Sequence, residues 1–230
     1  MSNLEIPYTV RRSKRARRAR IQVSPEGVEV VVPRGLALAE VEPFVEEKRR
    51  WIERTLLRMQ EADSERPPMR LEDGGEVPYL DDRLALSVKV EPGRKRPHVV
   101  RRGGELAVRV RRAADVRDAV ERWYRREARR EIGARLDSAT ARAGTPYTTL
   151  SIRGQRTRWA SCSSSGAMSF NWRLLLGPET ILGYVIEHEV AHLEVHDHSN
   201  RFWKLLEGRC PDYREHERWL RLNGQTLRFP

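Results

Sequence analysis

The chain has 230 residues, with 44 Lys and Arg against 33 Asp and Glu, a net charge of +11; 39% of its residues are hydrophobic and 33% charged. That balance allows a buried core in one large domain or two small ones and excludes an integral membrane protein, because no run approaches the roughly 18 apolar residues of a membrane span. The segment Met1–Val10 lacks the apolar stretch of a secretory signal, and Cys162 and Cys210 are too few for a disulfide framework, so a cytoplasmic protein with reduced thiols is expected.

Arg outnumbers Lys 39 to 5, a bias that a GC-rich genome produces without reference to any partner. The distribution is more informative than the total. Arg11, Arg12, Lys14, Arg15, Arg17, Arg18 and Arg20 crowd one segment, and Arg94, Lys95, Arg96, Arg101 and Arg102 another, whereas 181–200 contains no Lys or Arg. A basic front half is followed by an acidic, histidine-rich segment.

In chain order, 20–33 alternates and then becomes Val-rich, with Ser24-Pro25-Glu26-Gly27 as a turn, which predicts a β-hairpin. Helical spacing follows over Val41–Met59. The stretch 61–78, with Pro67-Pro68 and Gly74-Gly75, is the most linker-like in the chain. Short strands are expected at 84–90, 98–100 and 106–110. A long helix is expected over 113–143, with Val116, Val120, Trp123, Tyr124, Ala128, Ile132 and Leu136 inward. The succession of basic strand, turn, Val-rich strand and helix with Arg beside Trp occurs around Trp51 and again around Trp123, an echo too weak in sequence to define a repeat. A strand at 148–153, a Ser- and Gly-rich loop, and a strand over 167–176 follow. In that last strand alternation puts Met168, Phe170, Trp172, Leu174 and Leu176 on one face and Ser169, Asn171 and Arg173 on the other. Three helices, beginning near Pro178, Ser199 and Pro211, end the chain.

These elements predict an α+β fold. A β-rich region with one helix and a basic hairpin covers 1–112, and a second region covers 113–230, the two forming separate units or one continuous domain.

The chemistry concentrates in His188-Glu189-Val190-Ala191-His192. On a helix, residues four apart stack on one face about 6 Å apart, so both imidazoles can reach one tetrahedral ion while Glu189 is turned toward a water on it. Four of the six histidines, His188, His192, His196 and His198, fall within eleven residues. If the helix continued, His196 would lie about 12 Å from His188, too far to share a metal. The helix is expected to end near Val195 with a chain reversal carrying His198 back, so His188, His192 and His198 are the predicted ligands of one Zn2+ per chain. Glu189 is the predicted general base and acid, and the fourth position is left open.

Arg158-Trp159-Ala160-Ser161-Cys162-Ser163, Phe170-Asn171-Trp172-Arg173-Leu174, the segment from Tyr184 through His192, His198-Ser199 with Phe202-Trp203, and Pro211-Asp212-Tyr213 resemble, in that order, the YgjP-like metal-dependent hydrolases related to SprT-type zinc metallopeptidases. Arg11-Arg12-Ser13-Lys14-Arg15, Val31-Val32-Pro33 and Lys48-Arg49-Arg50-Trp51-Ile52 extend the similarity over nearly the whole chain. The resemblance implies the same three histidine ligands and Glu189 as the acid/base residue. It also implies a zincin-like C-terminal part in which an antiparallel edge strand precedes the active-site helix. Ala160 stands where the family has Gly, which would matter if that backbone needed a positive φ.

The expected activity is peptide-bond hydrolysis of a peptide or protein substrate, held along the strand 167–176 with contacts from Asn171, Arg173 and Tyr184. Two alternatives remain at this level: hydrolysis of a phosphorylated small molecule such as a nucleotide, with arginines clamping phosphate, and a nucleic-acid-associated protein whose Arg11, Arg12, Lys14 and Arg15 contact phosphates while the peptidase acts on bound proteins. No membrane partner is expected, and the sequence does not set the oligomeric state.

Overall fold

A computed structural model of the protein describes residues 6–14, 16–24, 27–64, 69–155 and 158–230. The chain divides into two compact units, 1–67 with 221–226, and 68–220 with 227–230. The division falls inside the linker-like stretch and not at Arg112. The reason is in the packing: the strands before residue 112 share one hydrophobic core with the long helix after it.

In the first unit β1 (Tyr8–Ser13), β2 (Arg20–Ser24) and β3 (Gly27–Pro33) form a sheet in the order β1-β3-β2. The β2–β3 hairpin is the one predicted; its turn residues Pro25 and Glu26 lie outside the described residues. Strand β1, which the sequence reading did not anticipate, pairs parallel to β3. Val28, Val30 and Val32 alternate onto one face and meet Val41, Val45 and Ile52 of helix α1 (Val41–Ser64). This is the half-buried sheet face that the period of two in a strand produces.

In the second unit β4 (Glu76–Tyr79), β5 (Asp82–Val90), β6 (His98–Arg102) and β7 (Glu105–Val110) form a sheet ordered β4-β5-β7-β6. Helix α2 (Val116–Ala143) follows and stops at Gly144, whose φ of 66° places it in the left-handed region that caps helices. All seven residues predicted to face inward on α2 are buried. A second sheet, β8 (Thr149–Arg153), β9 (Ala160–Cys162) and β10 (Ala167–Asn171), is ordered β8-β10-β9. A 3-10 turn (Trp172–Leu176) leads into α3 (Glu179–Ala191), α4 (Asn200–Arg209) and α5 (Tyr213–Asn223). Aromatic contacts knit the core: Trp123 against Tyr124 at 4.9 Å, Tyr124 against Trp172 at 5.4 Å, and Phe229 edge-on to Trp172 at 5.2 Å. Arg135 to Glu179 and Arg142 to Glu187 tie α2 to α3.

The echo seen in sequence is a repeat of topology. In the first unit β1 runs parallel to β3 and β2 antiparallel to it; in the second β5 runs parallel to β7 and β6 antiparallel to it; a 3-10 turn and a long helix follow each set. The registers agree residue for residue under a shift of about 78 positions: Tyr8 opposite Val28 becomes Leu86 opposite Leu106, and Arg20 opposite Val31 becomes His98 opposite Arg109.

The strand expected over 167–176 is shorter and differently placed. Asn171 accepts a hydrogen bond from the Arg173 amide and starts the 3-10 turn, so the alternation ends there and Trp172, Leu174, Leu175 and Leu176 are all buried. Strand β10 is also the middle strand of its sheet and not an edge, because β8 and β9 take both of its sides. Ala160 sits in β9 without strain, since Leu80 is the one non-glycine residue with positive φ among those described. No helix among the described residues is long and apolar enough to cross a membrane.

Gly75 packs where no side chain fits. A Cβ there would stand 2.1 Å from the Arg70 carbonyl oxygen, and the Gly75 amide already donates to the Glu72 carbonyl. Gly75→Ala is expected to destabilise the second unit by about 1–3 kcal/mol. Denaturant unfolding checks this, and an unchanged midpoint would contradict it.

Candidate metal centre

Helix α3 is apolar around most of its circumference, with Ile181, Leu182, Val185, Ile186 and Val190 buried, which fixes its rotation against the core. His188 and His192 then share the remaining side, one turn apart. The helix ends at Ala191 with His192 as its C-cap, earlier than the expected Val195. The Leu193 and Glu194 amides donate to the Val190 and Ala191 carbonyls, bonds that tighten the chain into a turn. Asp197 Oδ1 accepts from the Ser199 amide at 3.2 Å, and α4 starts immediately after. The reversal brings His198 back over α3.

The ligand nitrogens of His188, His192 and His198 lie within 4.8 Å of one another. His188 Nε2 and His198 Nε2 are 3.2 Å apart. Two imidazoles bound to one tetrahedral ion at about 2.0–2.1 Å place their nitrogens about 3.3 Å apart, so the donor set fits a small divalent cation. His192 Nδ1 lies 3.1 Å from the Val195 carbonyl oxygen. A carbonyl only accepts, so Nδ1 carries the hydrogen and Nε2 keeps its lone pair for a metal. His196 is exposed and stands outside this cluster.

The surroundings favour neutral rings. Burial, reinforced by the neighbouring His192 and His198, pulls the His188 pKa down to about 4, and burial also lowers that of His192. Glu189 is buried, with 6% of its surface exposed, and Oε2 has no hydrogen-bond partner. Burial pushes its carboxyl up to about 7, an effect partly offset by the Cys162 backbone N–H, which favours the carboxylate. The ladder explains why that amide is available. The Ser163 amide donates to the Ala167 carbonyl and the Asn171 amide to the Trp159 carbonyl, so by alternation the Ala160 and Cys162 backbones point away from β10. The strand beside Glu189 with an open edge is therefore β9.

Two residues given no role at the site in the sequence analysis, Phe202 and Trp203, organise the centre. The Phe202 ring, fully buried, lies 5.0, 4.5 and 4.8 Å from the rings of His188, His192 and His198 and forms a common floor. Trp203 stacks on His198 at 5.6 Å with planes 28° apart, and Tyr213 stacks on the other side of Trp203 at 5.5 Å. An aromatic pair beginning fourteen residues after the first histidine was the available signal.

Of the residues expected to contact substrate, Asn171 and Arg173 are engaged within the fold, and Tyr184 lies against His188. Asn171 is buried, and its amide donates to the Gln155 and Arg158 carbonyls, so its hydrogen bonds hold the loop before β9. Arg173 donates to the Gly154 carbonyl and lies over the Trp172 ring at 4.7 Å. Both serve the fold rather than a free polar face. Tyr184 is buried edge-on to His188 at 5.9 Å, with His216 at 6.1 Å on its other side. Of the basic residues proposed for nucleic acid, Arg11 pairs with Glu29 at 2.8 Å, Arg12 donates to the Arg34 carbonyl, Lys14 is exposed, and Arg15 lies outside the described residues.

A family model described as YgjP-like, metallopeptidase domain, matches residues 17–223. No curated protein matches the chain. Among solved structures, the zymogen of the Pyrococcus abyssi metallopeptidase abylysin is similar at 23% identity and a TM-score of 0.33, over 37% of this chain and 90% of that one. The zymogen of the Methanocaldococcus jannaschii metallopeptidase jannalysin is similar at 18% identity and a TM-score of 0.32, over 36% of this chain and 90% of that one.

Adding a divalent cation to metal-free protein is expected to raise its melting temperature, by a stabilisation of about 2.7 kcal/mol at a hundredfold excess over Kd. His198→Ala should shrink that shift while leaving the metal-free melting point nearly unchanged, because the His198 ring is exposed. Equal shifts in both proteins would remove His198 from the centre.

Proposed function

The chain belongs to the YgjP-like metallopeptidase family, and from that premise we propose that it is a zinc-dependent peptidase, with His188, His192 and His198 holding the ion and Glu189 serving as general base and acid. The observation that carries this reading is the convergence of three imidazoles beside a buried carboxylate whose Oε2 is unpartnered. Three nitrogen donors with room for a fourth ligand suit zinc in a catalytic setting better than the oxygen-rich coordination of calcium or magnesium. A bound ion supplies Lewis acidity, making water easier to deprotonate and polarising the scissile carbonyl.

The remaining work belongs to the chain. Burial of the Glu189 carboxyl favours its taking up a proton, and its free Oε2 accepts the proton of the attacking water. The same oxygen then returns that proton to the leaving amine. Phe202 beneath the three rings and Trp203 against His198 keep the imidazoles oriented and exclude water from behind them. An extended peptide would add to β9, where the outward-facing Ala160 backbone and the Cys162 carbonyl offer main-chain hydrogen bonds next to Glu189, the Cys162 amide being engaged by the Glu189 carboxylate. That assigns the substrate strand role to β9 and withdraws it from β10.

Glu189→Gln is expected to retain the metal and to lower turnover of an unfolded casein-like protein by about 10²–10⁴-fold. Metal analysis and a peptidase assay on the same preparation check this; a variant with normal turnover would contradict the base assignment. Running nucleoside triphosphates beside the protein substrate separates peptide from nucleotide hydrolysis, and turnover of the triphosphates alone would overturn the peptidase reading.

A further inference from the structure

The two copies of the repeated motif differ at one sheet edge. In the second copy β5 is covered on the side away from β7, because β4 pairs with its first residues and the turn before β4 continues the contact. The Leu86 amide donates to the Gly75 carbonyl at 2.8 Å, and the Leu86 carbonyl accepts from the Gly74 amide at 3.0 Å. The Val88 amide donates to the Asp73 carboxylate at 2.7 Å. In the first copy the corresponding strand is β1, an outer strand of the β1-β3-β2 sheet, and no described strand pairs with it on that side.

The shared register carries the bonding pattern from one copy to the other. The Ala85 and Glu91 amides bond on the β7 side, to the Gly104 and Val110 carbonyls, so alternation turns the main chains of Leu86, Val88 and Val90 outward. Their counterparts under the shift of 78 are Tyr8, Val10 and Arg12, whose N–H and C=O groups then point away from β3. Two common protections of a sheet edge are missing from β1. It pairs with β3 over six residues in unbroken register, without a bulge or a proline, and Val10 stands 38% exposed. Such an edge is a template for one more strand.

We propose that the open edge of β1 binds an extended acidic segment of another protein by strand addition, with a carboxylate of that segment on the Val10 amide. The stretch that covers β5 is the template for this ligand: residues 71–80 hold Glu72, Asp73 and Glu76 and no Lys or Arg. Strand β1 supplies the complementary charge, since it contains Arg11 and Arg12 and no acidic residue, and Lys14 follows it. Glu29 engages Arg11 at 2.8 Å. Arg12 donates to the Arg34 carbonyl and Lys14 is exposed, so neither has a carboxylate partner among the described residues. Pairing of β1 with the β1 of a second copy would set these cations against one another, which disfavours a dimer through this edge. All of these groups belong to the first unit, and none depends on the metal centre.

The test is fluorescence anisotropy of a labelled synthetic peptide with the sequence of residues 71–80, added to the full chain carrying Glu189→Gln so that the probe stays uncut. A second probe has amides in place of the three carboxylates. The acidic probe should bind, less tightly as salt rises, and the amide probe should bind about tenfold or more weaker. Val10→Pro removes an amide that makes no bond to β3, a change an edge strand accommodates, and should weaken the acidic probe by about tenfold or more while leaving the melting temperature unchanged. Should that variant unfold the sheet, Arg12→Ala/Lys14→Ala decides the matter: it should weaken the acidic probe and leave the amide probe as it was. No binding by the acidic probe, equal binding of the two probes, wild-type binding in both variants, or a dimer in sedimentation that Val10→Pro dissociates would each overturn the proposal.

Discussion

Helix α3 must stop where it does. If it ran one turn further, His198 would be carried along its axis away from His188, and the cluster would hold two imidazoles instead of three. The short turn at 192–199 exchanges helical hydrogen bonds for local ones, among them the bond from His192 Nδ1 to the Val195 carbonyl. That bond fixes the turn and also sets which nitrogen of His192 faces the other two rings. The geometry of the centre and the termination of the helix are thus one structural event.

The second unit is arranged to make that event reproducible. Helix α2 is the common wall: its apolar side receives the β4–β7 sheet, and the 3-10 turn and α3 pack on it as well. The ion pairs from Arg135 and Arg142 lie at the start of α3 and in its last turns, on Glu179 and Glu187. Partly exposed pairs of this kind add little stability, so their contribution is to orientation. Helix α4 then delivers Phe202 under the three rings, a position in which one buried side chain touches every ligand.

Much of this was legible in the sequence because helical periodicity is a strong signal. The inward residues of α2 and the four-residue spacing of His188 and His192 follow from 3.6 residues per turn alone. Placement of strands was less legible. The alternation across 167–176 looked continuous because Trp172, Leu174 and Leu176 keep a period of two, yet a 3-10 turn buries neighbouring residues as well, and Leu175 was the sign of it. Sequence also could not show that β8 would return to β10 and leave β9 at the edge, since strand order depends on pairing between distant segments. The repeat escaped notice because aligning Trp51 with Trp123 implies a shift of 72, whereas the strands superpose at about 78. The links to the two helices differ by three residues, and Trp51 lies three residues further into its helix than Trp123 does into its own, so the tryptophans are out of step.

The central claim is that three imidazoles from α3 and the turn after it close on one cation. A crystal structure of the zinc-soaked protein, with anomalous data collected on both sides of the zinc edge, tests it most directly. The account predicts one strong anomalous peak about 2.0–2.1 Å from a ring nitrogen of each of His188, His192 and His198, with Glu189 beside it. A peak elsewhere, or a site lacking any one of the three rings, would contradict it.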